Sequence, residues 1–444
     1  MTLNGNVRET ALTILCRAED GMFVDTMLAE ARQRLDGRDS GFLLELVYGV
    51  LRNRTLLDWT LNRFSAKPLD TTDVRTRNIL RLGAYQMLFL DRVPVSAAVN
   101  TSVELAKEHG GKHGYVNGLL RGLDRKRSQV VYPGPEDQIA RQSTLYSHPA
   151  WLVTRWISRF GPETTETLLR ENNRPAPLTI RTNTLKTTRP ALRTALEAEG
   201  VQVAETDCSP AGLDILSTSQ WLRTLKAYRD GWFMVQDQAA QLISLLLAPQ
   251  PGDTVLDACA APGGKATHLA ELMGNQGTVA ALELDASRIT RIRENSRRLG
   301  TLIVSPAQGD ASCCREGGFD GILIDAPCSG LGVLRRRPDG RWIKTEQTVS
   351  QHVPLQKRVL ENCASLLKPG KPLVYATCTT EPEENDEVIA WFLKGPGSAF
   401  RIDDPRPLLP QKAAALVDGA GFFRTFPHAP GMDGFFGVRM IKGA

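Results

Sequence analysis

The sequence predicts an α/β protein in three parts: an all-α domain, a small α+β piece, and a C-terminal, largely parallel, doubly wound sheet. Three observations carry that expectation. Asp253 to Met273 reads as a buried strand (Thr254, Val255, Leu256), a Gly-rich turn (Ala261-Pro262-Gly263-Gly264) and a helix from Lys265 with Leu269, Leu272 and Met273 on one face. Beyond it, strand-like and helix-like stretches alternate to the end of the chain. Before it, residues 1–128 carry helical periodicity throughout. With 444 residues the chain is too long for one core, so two or three domains are expected.

The first domain, 1–128, is read as a helical bundle. Val7, Ala11, Leu12, Leu15 and Cys16 recur near the helical period, and 42–51, 56–64 and 72–90 repeat the habit. Pro94 interrupts, Ser96 caps a helix over 97–109, Gly110-Gly111 ends it, and 115–124 adds another. Arg52, Arg54, Arg75, Arg77 and Arg81 cluster in the middle, and Arg121, Arg125, Lys126 and Arg127 near the end. A solvated face and an RNA-binding face explain these equally well. The runs Gly49-Val50-Leu51-Arg52-Asn53, Ile79 to Met87, Pro94-Val95 with Asn100, and Val116 to Arg121 resemble the NusB family of RNA-binding antitermination factors.

Residues 129–174 are a linker and helical connector. Pro133, Gly134 and Pro135 mark the linker over 129–145, and one helix is expected over 148–173, with Trp151, Leu152, Trp156, Ile157 and Phe160 on its apolar face. Residues 175–235 form the small platform: a strand over 178–182, a helix over 187–199, and short strands over 201–204 and 213–216. Its Arg181-Thr182-Asn183-Thr184-Leu185 reads as an ordinary turn.

The last domain, 236–444, starts with a helix over 238–247. After the organising strand, turn and helix come strands over 277–284, 302–304, 319–325, 372–377 and 435–441. The helices between them cover 286–299, 345–367 and 383–393. In such sheets ligands sit at the carboxyl ends of the strands. At those ends stand the Gly-Gly turn, Glu283, Asp310, Asp325 with Cys328, and Cys378.

Composition narrows the class. At 42% hydrophobic and 23% charged the chain is an ordinary globular protein, with no run long enough to span a membrane and no signal-peptide pattern. The net charge of +5 permits a nucleic-acid partner without requiring one. Eight cysteines without CxxC spacing argue against a structural zinc and a disulfide framework, so no metal is expected and the setting is read as reducing and cytoplasmic. Cys16, Cys208, Cys259 and Cys363 read as small core residues. The oligomeric state is open, with a monomer as the default.

A Gly-rich loop after the first strand and an acidic residue after the second suit an adenosine ligand. The turn lacks both the dinucleotide fingerprint and the Walker spacing, so S-adenosylmethionine fits better than NAD, with an altered dinucleotide site still open. Cys328 and Cys378 differ from the other cysteines in lying in turns at the ligand edge, and a thiolate suits addition to an electron-poor pyrimidine.

Asp257-Ala-Cys-Ala-Ala-Pro-Gly-Gly-Lys265, Asp325-Ala-Pro-Cys-Ser-Gly330 and Tyr375-Ala-Thr-Cys378 followed by Pro382-Glu-Glu-Asn385 resemble the RNA cytosine-5 methyltransferases of the Fmu/Sun type. The NusB-like front end brings the resemblance closest to those acting on 16S ribosomal RNA, over nearly the whole chain. The resemblance implies a Rossmann-like S-adenosylmethionine-dependent methyltransferase. It implies that Cys259, Ala260, Ala261, Pro262, Gly263, Gly264 and Lys265 line the cofactor pocket, that Glu283 holds the ribose, and that Asp310 lies against the adenine. Asp325 would contact the methionine end or the base, Cys378 would be the nucleophile, Cys328 would assist proton removal and release, and Lys265 would support Cys378 or the cofactor. The chain departs from the pattern at Gln238-Ala239, Leu331, Thr379 and the residues before Asp433-Gly-Phe-Phe436, none of them a proposed reacting group. Arg335-Arg336-Arg337 is read as a phosphate clamp beside Cys328. The alternatives are the same chemistry on tRNA, or an RNA-binding assembly factor that has kept the fold without turnover.

Overall fold

The computed structural model describes residues 6–109, 112–218, 220–428 and 432–444; the Gly110-Gly111 helix stop expected from the sequence lies outside them. The chain divides into two compact units, 1–174 with 334–345, and 175–333 with 346–444. The first contains α1 (Val7–Glu19), α2 (Val24–Arg32), α3 (Gly37–Arg52), α4 (Arg54–Asn62), α5 (Val74–Phe89), α6 (Val95–Glu108), α7 (His113–Lys126), α8 (Gln138–Leu145), α9 (Ala150–Phe160) and α10 (Pro162–Asn172). Side-chain caps set several starts: Asn6 accepts from Arg8 N, Asp36 from Asp39 N and Asp73 from Thr76 N. The helix α5 is the axis, with Ile79, Leu80, Leu82 and Ala84 all buried. Gly49 is required where α3 meets Tyr85, since a Cβ there would fall 2.0 Å from the ring.

Four helical expectations change; the helix placed over 97–109 behind a Ser96 cap starts at Val95 after Pro94, with no side-chain cap. The segment 148–173 is two helices, because Gly161 turns to φ +78° and Pro162 begins the second. The linker over 129–145 holds α8, and α2 stands where no helix was read. Part of the middle arginine cluster is spent on internal contacts, while Arg75 is exposed: buried Arg81 pairs with Asp58 at 2.7 Å and Glu19 at 2.5 Å, and Arg77 pairs with Glu19 at 2.6 Å. Arg121, Arg125, Lys126 and Arg127 remain exposed.

In the second unit, β1 (Leu178–Thr182), β2 (Gln202–Glu205), β3 (Gly212–Ser217) and β4 (Phe233–Val235) form an antiparallel sheet of order β2-β3-β1-β4, with α11 (Arg189–Ala198) and the short α12 (Lys226–Arg229). Next come α13 (Gln238–Leu247), β5 (Thr254–Asp257), α14 (Gly264–Leu272), β6 (Thr278–Glu283), α15 (Ala286–Leu299), β7 (Val304–Gln308) and β8 (Gly321–Asp325). The short helix α16 (Gly340–Ile343) lies in the segment that packs with the first unit. The chain then forms α17 (Glu346–Leu366), β9 (Pro372–Thr377), α18 (Asp386–Lys394), β10 (Phe400–Ile402), α19 (Gln411–Ala414), β11 (Phe423–Arg424) and β12 (Phe436–Lys442).

The large sheet runs β10-β12-β9-β8-β5-β6-β7, parallel from β9 to β7, with β12 antiparallel to β9 and β11 pairing β12. The α/β expectation holds. The third strand sits later than the expected 302–304: Leu302 is exposed, and β7 admits Pro306 because it is the sheet edge. The chain order reverses at β5, which places the ligand crevice at the ends of β5 and β8.

Two stretches read as surface features make internal contacts instead. Arg181, with its side chain wholly buried, pairs with Glu271 of α14 at 2.7 Å and donates to the Gly264 carbonyl at 2.6 Å. Asn183 donates to the carbonyls of Gly231 and Leu299. The expected turn thus ties the small sheet to the helix that follows the Gly-rich loop. The basic run 335–337 does not stand free as a clamp. Arg335 is buried and donates to the Arg174 carbonyl, Arg337 pairs with Asp25, and Arg341 donates to Asn173 and to the carbonyls of Arg52, Ser147 and Asn172.

Candidate active site

The carboxyl end of β5 sets one wall of the site. The strand delivers Asp257, fully buried, and the chain turns through Cys259 to Gly263 into α14. Gly263 begins the helix at φ +97°, a conformation that suits glycine, and a Cβ there would meet Ile292 at 3.2 Å. The turn is fixed by Ala260 N donating to the Leu282 carbonyl at 2.9 Å and Ala261 N to Glu283 Oε2 at 3.2 Å. A cleft of about 150 Å³ opens there, lined by Asp257, Cys259, Ala260, Ala261, Pro262, Gly264, Lys265 and Asp325, with Met234, Val235, Gln236 and Ala240 opposite. Glu283 and Asp310, at the ends of β6 and β7, stand outside that lining. The Glu283 carboxylate also accepts from Asp285 N at 3.1 Å, and Asp310 accepts from Ser312 N at 2.8 Å, which holds its carboxyl below the usual range.

The charges are unequally distributed. Lys265 Nζ lies 2.7 Å from Asp325 Oδ2. Burial opposes the ammonium, but Asp325, Asp257 and Cys378 together hold its pKa above the ordinary value. Burial, then the charge of Asp325, push Asp257 up to about 7. The backbone of Cys259 and Ala266 faces the Asp257 carboxyl and tempers that rise. Two carboxyls and one ammonium around the cleft leave it suited to a cation.

The ends of β8 and β9 bring the two remaining candidates together. Strand register sets Asp325 opposite Ala376, and the turns beyond place Cys328 Sγ 3.2 Å from Cys378 Sγ. Both cysteines are half-buried. The hydrogen bond to Cys378, burial and the nearby Glu384 raise the Cys328 thiol well above its ordinary pKa. Burial likewise raises Cys259, in keeping with a wall residue. Cys313, exposed, and Cys314, against Asn362, lie apart from this pair.

Sequence reasoning assigns no role to Asp257, which stands in the motif, nor to Gln236. The signal for Asp257 was its place as the last residue of the strand. No group of three metal-ligating side chains occurs among the described residues, and no helix among them is long and apolar enough to cross a membrane.

Comparison with known proteins gives three successive family matches along the chain. A family model described as 16S rRNA methyltransferase RsmB/F matches residues 244–441, the NusB family model matches 5–125, and a ferredoxin-like domain of RsmF/B-like methyltransferases matches 148–220. Probable ribosomal RNA small subunit methyltransferase B of Bacillus subtilis (strain 168) is 36% identical, over 98% of this chain and 99% of its own. Ribosomal RNA small subunit methyltransferase B of Erwinia tasmaniensis is 34% identical, over 97% of each chain. The crystal structure of PH0851 matches with a TM-score of 0.80 and 29% identity, covering all of both chains.

Proposed function

The chain belongs to the ribosomal RNA small subunit methyltransferase B family, and from that premise we propose that it methylates carbon 5 of a cytosine in 16S ribosomal RNA, using S-adenosylmethionine and a covalent bond from Cys378 to the base. The observation that carries this reading is the pair of thiols 3.2 Å apart at neighbouring strand ends, beside the Lys265–Asp325 ion pair.

The cleft fits the cofactor. The sulfonium and ammonium of S-adenosylmethionine outweigh its carboxylate, and the buried Asp257 carboxyl in the cleft wall offers the matching charge. Residues 259–265 would hold the methionine and sulfonium end, Glu283 the ribose and Asp310 the adenine, in the order the strand ends present them. When bound, S-adenosylmethionine supplies the methyl group that carbon 5 takes up.

The remaining chemistry belongs to the chain. Cytosine is a poor nucleophile at carbon 5 until a group adds at carbon 6. Cys378 Sγ, as thiolate, forms that bond, and the pair of the 5,6 double bond is delocalised toward nitrogen 3. Nitrogen 3 takes a proton from water as negative charge builds there, and the Asp325 carboxylate, held by Lys265, accepts the hydrogen bond from this N–H until the proton returns to water on release. Lys265 also favours the thiolate of Cys378, since cation and thiolate stabilise one another. After methylation Cys328, once its own proton has passed to water, takes the proton from carbon 5 as thiolate, the electrons of that C–H bond re-form the double bond, and the carbon 6 bond breaks with its pair returning to Cys378. A base within a helix cannot reach this site, so the target is unpaired or flipped out.

The test is methyl transfer from labelled S-adenosylmethionine to small-subunit RNA, with the product nucleoside identified. The reading expects 5-methylcytidine, lost in Cys378→Ala while cofactor affinity stays within about twofold. Label on another atom, or on tRNA alone, would overturn it.

A further inference from the structure

We propose that Glu384 is a positioning residue for the cysteine pair, acting on Cys328 and through it on the release step; this rests on the covalent reading above. Cys328 and Cys378 lie in separate turns, joined through the backbone by Ala326 N donating to the Ala376 carbonyl at 2.8 Å and Gly332 N to the Cys378 carbonyl at 3.1 Å. The Glu384 carboxylate adds a side-chain clamp on the residues that flank Cys328. Its Oε1 accepts from Ser329 N at 2.7 Å and from Gln356 Nε2 at 3.0 Å, and its Oε2 accepts from Ser329 Oγ at 2.5 Å. Gln356 Nε2 also donates to the Pro327 carbonyl at 2.9 Å. The residues on both sides of Cys328 are therefore held by one buried carboxylate and its glutamine.

The next residue in the chain does the same for the other cysteine. Asn385 Oδ1 accepts from Thr377 Oγ1 at 2.6 Å, and its Nδ2 donates to the Thr379 carbonyl at 3.0 Å. The two clamps are joined where the Ser329 and Thr379 hydroxyls meet at 3.0 Å. Tyr375 Oη fixes Glu384 itself by donating to its carbonyl at 2.8 Å.

A buried carboxylate is a costly way to hold a loop, because desolvation opposes it. Here it accepts three donors at once, which a neutral amide cannot. It also places a negative charge on the Cys328 side of the pair while Lys265 stands on the Cys378 side. Cys328, Cys378, Tyr375 and Glu384 are the titratable groups that face one another here, with Cys259 close behind. The arrangement sets the cation beside the sulfur that attacks and the carboxylate beside the sulfur that takes the proton.

The test compares Glu384→Gln with Cys328→Ala, using full-length protein, S-adenosylmethionine and small-subunit RNA on a denaturing gel. Glu384→Gln is expected to cut turnover at least about tenfold, keep cofactor affinity within about twofold, and accumulate a covalent protein–RNA band as Cys328→Ala does. A role in folding alone would lower cofactor affinity and melting temperature together and yield no band. Unchanged turnover, or loss of turnover without a band while Cys328→Ala gives one, would overturn the proposal alone. No band in Cys328→Ala would overturn the covalent reading and the proposal together. Should Glu384→Gln fail to fold, Gln356→Leu, which frees the Pro327 carbonyl, is expected to give the same band, and its absence would count equally against the proposal.

Discussion

Replacing Arg181 by methionine asks whether a buried charge pair holds the small sheet to the helix behind the Gly-rich turn. The side chains of Arg181 and Glu271 are 0% and 1% exposed. The guanidinium donates to Glu271 at 2.7 and 3.2 Å, to Thr267 at 3.1 Å, to the Gly264 carbonyl at 2.6 Å and to Gln236. Methionine fills a similar volume but leaves the Glu271 carboxylate buried without its cation, at a cost of about 3–5 kcal/mol. At about 2–4 °C per kcal/mol for a unit of this size, the transition of the second unit should fall by about 6–20 °C. The loss should depend on pH. Burial already holds Glu271 above the usual carboxylate range even with Arg181 opposing the shift, and removing Arg181 raises it further. A carboxyl with a raised folded pKa binds its proton more tightly when folded, so stability falls as pH rises from the unfolded value of about 4.3 toward the folded one. The deficit should therefore be smaller at pH 5 than at pH 8. Thermal unfolding of the full chain followed by circular dichroism, on Arg181→Met and on Arg181→Met with Glu271→Leu, supplies the assay. The double variant should recover most of the loss, because it removes the orphaned charge. A single variant within about 1 kcal/mol of the parent, or a double variant no more stable than the single, would refute the reasoning.

Two further predictions concern the cofactor cleft. Asp257 ionises near pH 7, and its charged form favours a cation, so calorimetric affinity for S-adenosylmethionine should rise roughly tenfold from pH 6 to pH 8; Asp257→Asn should bind more weakly and lose that dependence, and an unchanged pH profile in the variant would count against the assignment. Gly263→Ala should cost about 1–3 kcal/mol, because alanine is strained at φ +97° and its Cβ presses on Ile292, with weakened cofactor binding; a melting temperature and affinity equal to the parent would show that the turn tolerates a side chain.

Much of this molecule can be read from its residues. The alternation of buried strands and amphipathic helices after residue 236 predicts the sheet, and the motifs at the strand ends single out the cleft and the cysteine pair. What escaped reading was whatever depends on pairing across the chain. Arg181 looks like a polar strand end until Glu271, 90 residues away, is seen beside it. Arg81 and Arg335 look like surface cations because nothing local marks a buried partner. Glu384 sits in a visible motif, yet its role depends on Ser329 and Gln356, which come together only in the fold. Boundaries slipped where local geometry overrode periodicity, as at Gly161 and along the edge strand β7. The short helix α2 was legible, with Val24, Met27, Leu28 and Ala31 at helical spacing, but is too brief to stand out.

The most direct test of the central claim is a denaturing gel of Cys328→Ala and Cys378→Ala, each incubated with S-adenosylmethionine and small-subunit ribosomal RNA. Attack by Cys378 and release through Cys328 predict a slow-migrating protein–RNA band with Cys328→Ala and none with Cys378→Ala. A band with Cys378→Ala alone would reverse the roles of the two sulfurs, and no band with either would contradict the covalent mechanism.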